Sequence, residues 1–142
     1  MPDITPSVGV LVYRKNNEEI LLVKHGKAAS HLNDICGLPA GKLEEKESEI
    51  EAAVRELSEE TGLVTNKEHL KPLPKLYFGE IKRKEDTRTF SFRVFICKSW
   101  SGKLRKTDET EPFWTKIHDL DKYNLLPNVK QAVLDGLEYL TK

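Results

Sequence analysis

Apolar positions come first in short β-rich runs and later in stretches with helical spacing. Residues 8–14, VGVLVYR, are mostly apolar and β-branched and predict a buried strand. Residues 15–18 carry turn chemistry, and residues 20–25, ILLVKH, predict a second strand. That strand ends on Lys24 and His25, both read as a solvated strand end. A polar loop follows over 26–34. Pro72 and Pro74 predict an irregular start to the segment 70–76, ahead of a strand over 75–81 and a charged turn at 83–86. A long strand is predicted over 87–97, with Phe90, Phe92, Val94 and Ile96 alternating so that one face packs on the core. Trp100 opens a second loop, a short strand begins at Phe113 and Trp114, and a brief helix is expected over 117–123.

Two stretches have helical character. Ser48 with Glu51 three residues on forms a capping box. Ile50, Ala53, Val54, Leu57 and Thr61 then recur as a buried stripe, and Gly62 is a C-terminal stop. The second helix is predicted over 127–140, with Val129, Ala132, Val133, Leu137 and Leu140 as its stripe and Pro127 or Asn128 as its start.

The first helix carries the candidate chemistry. Glu56, Glu59 and Glu60 are three and four positions apart, so their carboxylates project from one patch. They repel one another and sit toward the helix C-terminus, the unfavourable end for anions. A hard divalent cation would offset both costs, and Mg²⁺ is held by a few carboxylates, waters and substrate phosphates. Oxygen ligands suit Mg²⁺ or Mn²⁺ better than Zn²⁺. On the cluster alone, a solvated acidic face is the competing reading.

Composition narrows the classes. The 142 residues predict one domain over 1–142, with 32% charged and 38% apolar residues. Lys+Arg and Asp+Glu both number 23, which argues against a general surface for nucleic-acid polymers and leaves free nucleotides compatible. Cys36 and Cys97 are too few for a disulfide framework. Cys36 reads as a small buried residue, since no partner histidine marks it as a nucleophile. The N-terminal segment lacks signal-peptide character, and no apolar run is long enough to span a membrane. A cytoplasmic protein without membrane partners is expected.

The spacing around the acidic patch is specific. Gly41 is followed by five residues and Glu47, then by seven residues and Arg55-Glu56, Leu57, Ser58, Glu59-Glu60, Thr61, Gly62 and Leu63. This stretch resembles the Nudix hydrolase box at every defining position. The resemblance implies an α/β fold, an α/β/α sandwich with a mixed sheet. It implies hydrolysis of a nucleoside diphosphate linked to another group, a reaction governed by positioning and electrostatics. It makes Glu56 and Glu60 the main metal ligands, Glu59 a third ligand or water-activating group, and the Gly41 carbonyl a loop ligand. It makes Arg55 the residue that orients Glu56, and Glu47 the partner that holds Arg55.

The approach segment departs from the family pattern. Cys36 stands where an aromatic is common, and Ala40 replaces a glycine. Further along, Glu111 is the first choice for a downstream catalytic glutamate and Glu109 the second. Arg88 and Arg93 could reach phosphates, although surface positions are the simpler reading. The compact size resembles the mutator-type branch acting on (d)NTPs, including oxidised ones. Pro72, Pro74 and Tyr77 lie nearer the box than the signatures of ADP-ribose or dinucleoside-polyphosphate branches. Those substrates and a non-catalytic nucleotide sensor stay open as alternatives. So does a homodimer.

Overall fold

The computed structural model describes residues 3–141. Seven strands and two α-helices follow in the order β1 (Ile4–Arg14), β2 (Glu19–His25), β3 (Cys36–Gly37), β4 (Ala40–Lys42), α1 (Glu49–Thr61), β5 (Leu70–Lys82), β6 (Thr87–Cys97), β7 (Thr110–Lys116) and α2 (Val129–Thr141). Short 3₁₀ turns occupy Lys15–Asn17, Lys67–His69 and Ile117–Lys122. The main sheet path runs β3-β2-β1-β6-β5, with β4 added on β1 and β7 on β2. Only β1 and β6 run parallel, in register from Ile4 opposite Thr89 to Val12 opposite Cys97. The other pairs are antiparallel, so the sheet is mixed.

Strand alternation explains the layers. Val8, Val10 and Val12 of β1 pack on Ala52, Ala53 and Leu57 of α1. Leu11, on the opposite face of the same strand, joins Val129, Ala132 and Val133 of α2. The two helices therefore cover opposite faces, giving the α/β/α arrangement.

Three expectations change in detail. Residues 70–76 belong to β5 from its first residue: Leu70, Lys71 and Pro72 pair with Cys97, Ile96 and Phe95, and a register shift before Leu76 absorbs Pro74. The prolines are tolerated because β5 is an edge strand, where a missing N–H breaks no second ladder. In α1, Ala52 is fully buried, whereas Ile50 and Val54 are only partly buried. In α2, Leu140 is 38% exposed and drops out of the stripe, while Gly136 packs directly on Leu11.

The capping box forms as expected. Ser48 Oγ accepts from the Glu51 N–H at 3.2 Å, and Glu51 Oε1 accepts from the Ser48 N–H at 3.0 Å. Gly62 ends the helix at φ 86°, in the left-handed region that glycine favours. Among the described residues, no helix is long and apolar enough to cross a membrane.

Candidate active site

The site lies where β1 changes partner on one edge. Ser7, Val8 and Gly9 pair with Lys42, Gly41 and Ala40 of β4, whereas Tyr13 and Arg14 pair with Ile20 and Glu19 of β2. Between them the Val10 N–H goes to the Pro39 carbonyl at 2.9 Å. The short strand β4 thus carries the start of the box across the sheet beside α1. A cavity of about 270 Å³ opens here.

Arg55 organises the acidic wall. Its Nε and Nη2 donate to Glu47 Oε2 and Oε1 at 2.7 and 2.8 Å, a bidentate pair. Its Nη1 donates to Glu56 Oε1 at 2.5 Å and stands 3.3 Å from Glu59 Oε2. Its Nη2 also reaches the Lys42 carbonyl at 3.0 Å, tying helix to loop. The Arg55 hydrogen bond pulls the Glu47 carboxyl down to about 2. Arg55 itself is raised further above its ordinary range, first by the Glu47 contact. One guanidinium thus contacts Glu56 while Glu47 holds the guanidinium.

Glu56 and Glu60 line the cavity. Burial pushes the Glu56 carboxyl up despite the Arg55 contact. Glu60 is pushed up to about 8, first by burial and then by neighbouring carboxylates, against the lowering effect of an Ala40 N–H donated to its Oε1 at 2.7 Å. Gly41 shows how tightly loop and helix meet, because a Cβ added there would fall on the Glu56 carboxylate. Glycine is required at this position by close approach.

These features fit a divalent cation. Among the described residues, no group of three carboxylate, imidazole or thiol side chains already converges to hold an ion. Two half-buried, mutually repelling carboxylates do converge beside the Gly41 backbone, facing a cavity with space for water and phosphate oxygens. Mg²⁺ takes that kind of incomplete protein shell, and its charge would relieve the repulsion. The unfavourable helix end is also compensated: Arg105 donates to the Ser58 carbonyl at 3.2 Å, and its N–H to the Thr61 carbonyl at 2.8 Å.

The remaining sequence candidates separate. The Glu59 side chain is 57% exposed, pairs with Arg55 and does not line the cavity. Glu111 lies on β7 opposite Lys24, with Lys106 as its ion-pair partner at 4.0 Å, and does not line the cavity either. Glu109 does, and its charge acts on Glu60, so the geometry favours the second-choice residue. Arg88 pairs with Asp86, and Arg93 pairs with Glu49, both away from the cavity. Cys36 is a buried thiol whose pKa burial raises, consistent with a packing role.

Sequence reading missed the opposite wall. His25 is 5% exposed, lines the cavity and contacts the His31 ring at 4.5 Å between centroids. It is not a solvated strand end; Lys24 is the exposed neighbour. The signal was strand parity, since an outward Lys24 puts His25 on the buried side. Burial lowers His25 to about 4 and also lowers His31. Arg83 and Asn128 complete this wall, while Leu38, Phe90 and Phe92 supply an apolar floor.

The family model described as NUDIX domain matches residues 3–135. The chain is 29% identical over 136 residues to the 8-oxo-dGDP phosphatase NUDT18 of Danio rerio, aligning over 93% of this chain and spanning 38% of that relative's length. Its fold is similar to the crystal structure of the MutT NUDIX hydrolase from Burkholderia pseudomallei, with TM-score 0.73 and 23% identity over 94% of this chain and 98% of that one. It is also similar to a bifunctional NMN adenylyltransferase/ADP ribose pyrophosphatase from Francisella tularensis, complexed with AMP and a Mn ion. That match has TM-score 0.68 and 22% identity over 98% of this chain and 42% of that one. With the complete box, the matching fold and a family match across almost the whole chain, this protein belongs to the NUDIX domain family.

Proposed function

We propose that the protein is a metal-dependent pyrophosphohydrolase acting on a nucleoside diphosphate derivative. The favoured substrate is a (d)NTP or oxidised (d)NTP, cleaved to a nucleoside monophosphate and pyrophosphate. One observation carries this reading: Glu56 and Glu60 are half-buried, are held above the ordinary carboxylate range and line one cavity with Gly41. Mg²⁺ or Mn²⁺ bound there would neutralise phosphoryl charge and lower the pKa of a bound water.

The chain's own residues would do the rest. Glu56 and Glu60 hold the ion, with Gly41 as the loop donor and Glu59 as an outer participant. Arg55 keeps Glu56 oriented through the Glu47 clamp. Water oxygen adds to phosphorus, the phosphoanhydride bond breaks, and a carboxylate takes the water's proton. Glu109 is the favoured proton acceptor because it lines the cavity, with Glu59 and Glu111 behind it.

The test is chromatographic separation of the nucleotide products formed from dNTPs, 8-oxo-dGTP, ADP-ribose, nucleotide sugars and dinucleoside polyphosphates, with Mg²⁺ and then Mn²⁺. Metal-dependent hydrolysis that disappears in Glu60→Gln supports the reading, and the preferred substrate selects the branch. Nucleotide binding without hydrolysis of any of them replaces it with a nucleotide sensor.

A further inference from the structure

The cavity has two unlike ends. Its acidic end is accounted for by the proposed metal and diphosphate, whereas the far end holds hydrogen-bonding capacity that the protein leaves unspent. Among the described residues, three buried side-chain nitrogens have no hydrogen-bond partner: Arg14 Nε, His31 Nδ1 and Arg83 Nε. Arg14 lies elsewhere, with its guanidinium over Trp114. The other two belong to residues that line the same end of this cavity. Buried polar groups are normally satisfied, so two orphans together need a cause.

Their positions are fixed by contacts that leave those nitrogens free. The tip of the β5–β6 hairpin is strapped to the loop 26–34. His31 and Arg83 form an antiparallel bridge, the Lys84 N–H donates to the Ser30 carbonyl at 3.1 Å, and Lys84 Nζ donates to the Lys27 carbonyl at 2.7 Å. Asp86 stands 3.5 Å from Arg83 Nε, outside good hydrogen-bond distance. The His25 ring supports His31 from behind. A pre-placed donor edge costs little ordering entropy when a ligand meets it.

Charge decides what kind of ligand fits. Burial disfavours protonation of both His25 and His31, and the Arg83 guanidinium has Asp86 beside it. A buried phosphate would bring one or two negative charges against little net positive charge, a poor exchange for its hydration. A neutral, flat group with hydrogen-bond acceptors on its edge fits better. Phe90 and Phe92 in the cavity floor provide the apolar contact such a ring needs.

We propose that Arg83 and His31 read the edge of the nucleobase and select guanine-type over adenine-type bases. Guanine offers acceptors at O6 and N7, whereas adenine sets an amino donor beside N7. Arg83 can only donate, so it is the discriminating residue. Neutral His31 can donate or accept at Nδ1, so it accommodates either N7 or the protonated N7 of an oxidised guanine. The inference rests on the pyrophosphohydrolase reading for its kinetic test and is independent of it for its binding test.

The experiment measures kcat and KM for dGTP, 8-oxo-dGTP and dATP in wild type, Arg83→Gln, Arg83→Lys and His31→Asn. Binding of GMP and AMP is measured by calorimetry on the same proteins. Wild type should bind GMP more tightly than AMP. Arg83→Gln should lower the guanine-to-adenine ratio of kcat/KM by ~10-fold, through KM with kcat retained. Arg83→Lys, which keeps the charge and loses the planar fork, should recover part of that ratio. Equal losses for both bases would overturn the proposal in favour of a structural or phosphate role. An unmoved ratio would also overturn it, with ordered water as the partner of both nitrogens. If no nucleotide is hydrolysed, the function reading fails alone so long as Arg83-dependent preference for GMP persists in calorimetry; absence of that preference overturns the inference too.

Discussion

The two ends of the cavity are built by different means. The acidic end is local in sequence: Gly41, Glu47, Arg55, Glu56 and Glu60 lie within β4, the loop after it and α1. The far end is assembled from the end of β2 and its following loop, the β5–β6 hairpin tip and the start of α2. In the first, Arg55 holds Glu47 and Glu56, and the Ala40 N–H holds Glu60. In the second, among the described residues, two buried nitrogens are held in place without a hydrogen-bond partner. The contrast separates chemistry, which needs a fixed charge arrangement, from recognition, which needs unsatisfied groups.

The largest expected effect breaks the acidic end alone. Glu56→Gln or Glu60→Gln should reduce kcat/KM by roughly 10²–10³-fold for every base, as loss of one electrostatic element in a site does. Steady-state kinetics on dGTP and dATP checks this, with circular dichroism to show that the fold persists. A change in the guanine-to-adenine ratio in these variants would contradict the division between the two ends.

Arg55→Lys should cost less, on the order of 10–100-fold, because the metal-facing carboxylates remain while their orientation is lost. Lysine cannot reproduce the fork to Glu47 together with the contact to Glu56. The checking measurement is the Mg²⁺ concentration dependence of turnover, which should shift to higher metal.

The pH dependence sharpens the comparison inside the acidic end. Glu47 is depressed to about 2, so its stabilisation is present above the ordinary carboxylate pKa and is lost as pH falls from there toward 2. Glu60 is raised to about 8, so metal-free protein loses stability as pH rises from the ordinary carboxylate range through 8. Thermal melting from pH 3 to 9 should show Glu47→Gln flattening the acid limb and Glu60→Gln flattening the alkaline limb. Added Mg²⁺ should restore the alkaline limb of wild type, because binding favours the ionised carboxylate.

The smallest effect is purely structural. Ser48→Ala removes the capping-box acceptor and should cost about 1 kcal/mol of stability in chemical denaturation. Activity at saturating metal should change little, since Ser48 touches none of the cavity-lining carboxylates.

Legibility in the sequence followed contact range. Ser48, Glu51 and Gly62 could be assigned because their partners lie within a few residues. Arg55 and its clamp partner Glu47, eight positions earlier and just ahead of the helix, were assigned through the resemblance to the box. His25 was misread because nothing near it in sequence shows what covers it; His31 and the hairpin tip do so only after β5 and β6 have paired. Glu109 and Glu111 were both read as loop residues, and of the two it is Glu109 that lines the cavity. Glu111 instead falls in β7, whose register opposite Lys24 fixes it away from the cavity.

Residue order alone specified the helix with its own caps and the cluster of Glu56, Glu59 and Glu60 on one patch of it; the roles of Gly41, Arg55 and Glu47 came from the resemblance to the box. The helix and its cluster depend on helical periodicity and short covalent distances, which the order of residues specifies directly. Only the tertiary structure decided the far half, because the neighbours of His25, His31 and Arg83 are set by strand register across the sheet and by where the hairpin tip meets the β2 loop. Register is a collective result of packing both faces of the sheet, so no single stretch of sequence encodes which groups are left unpaired there.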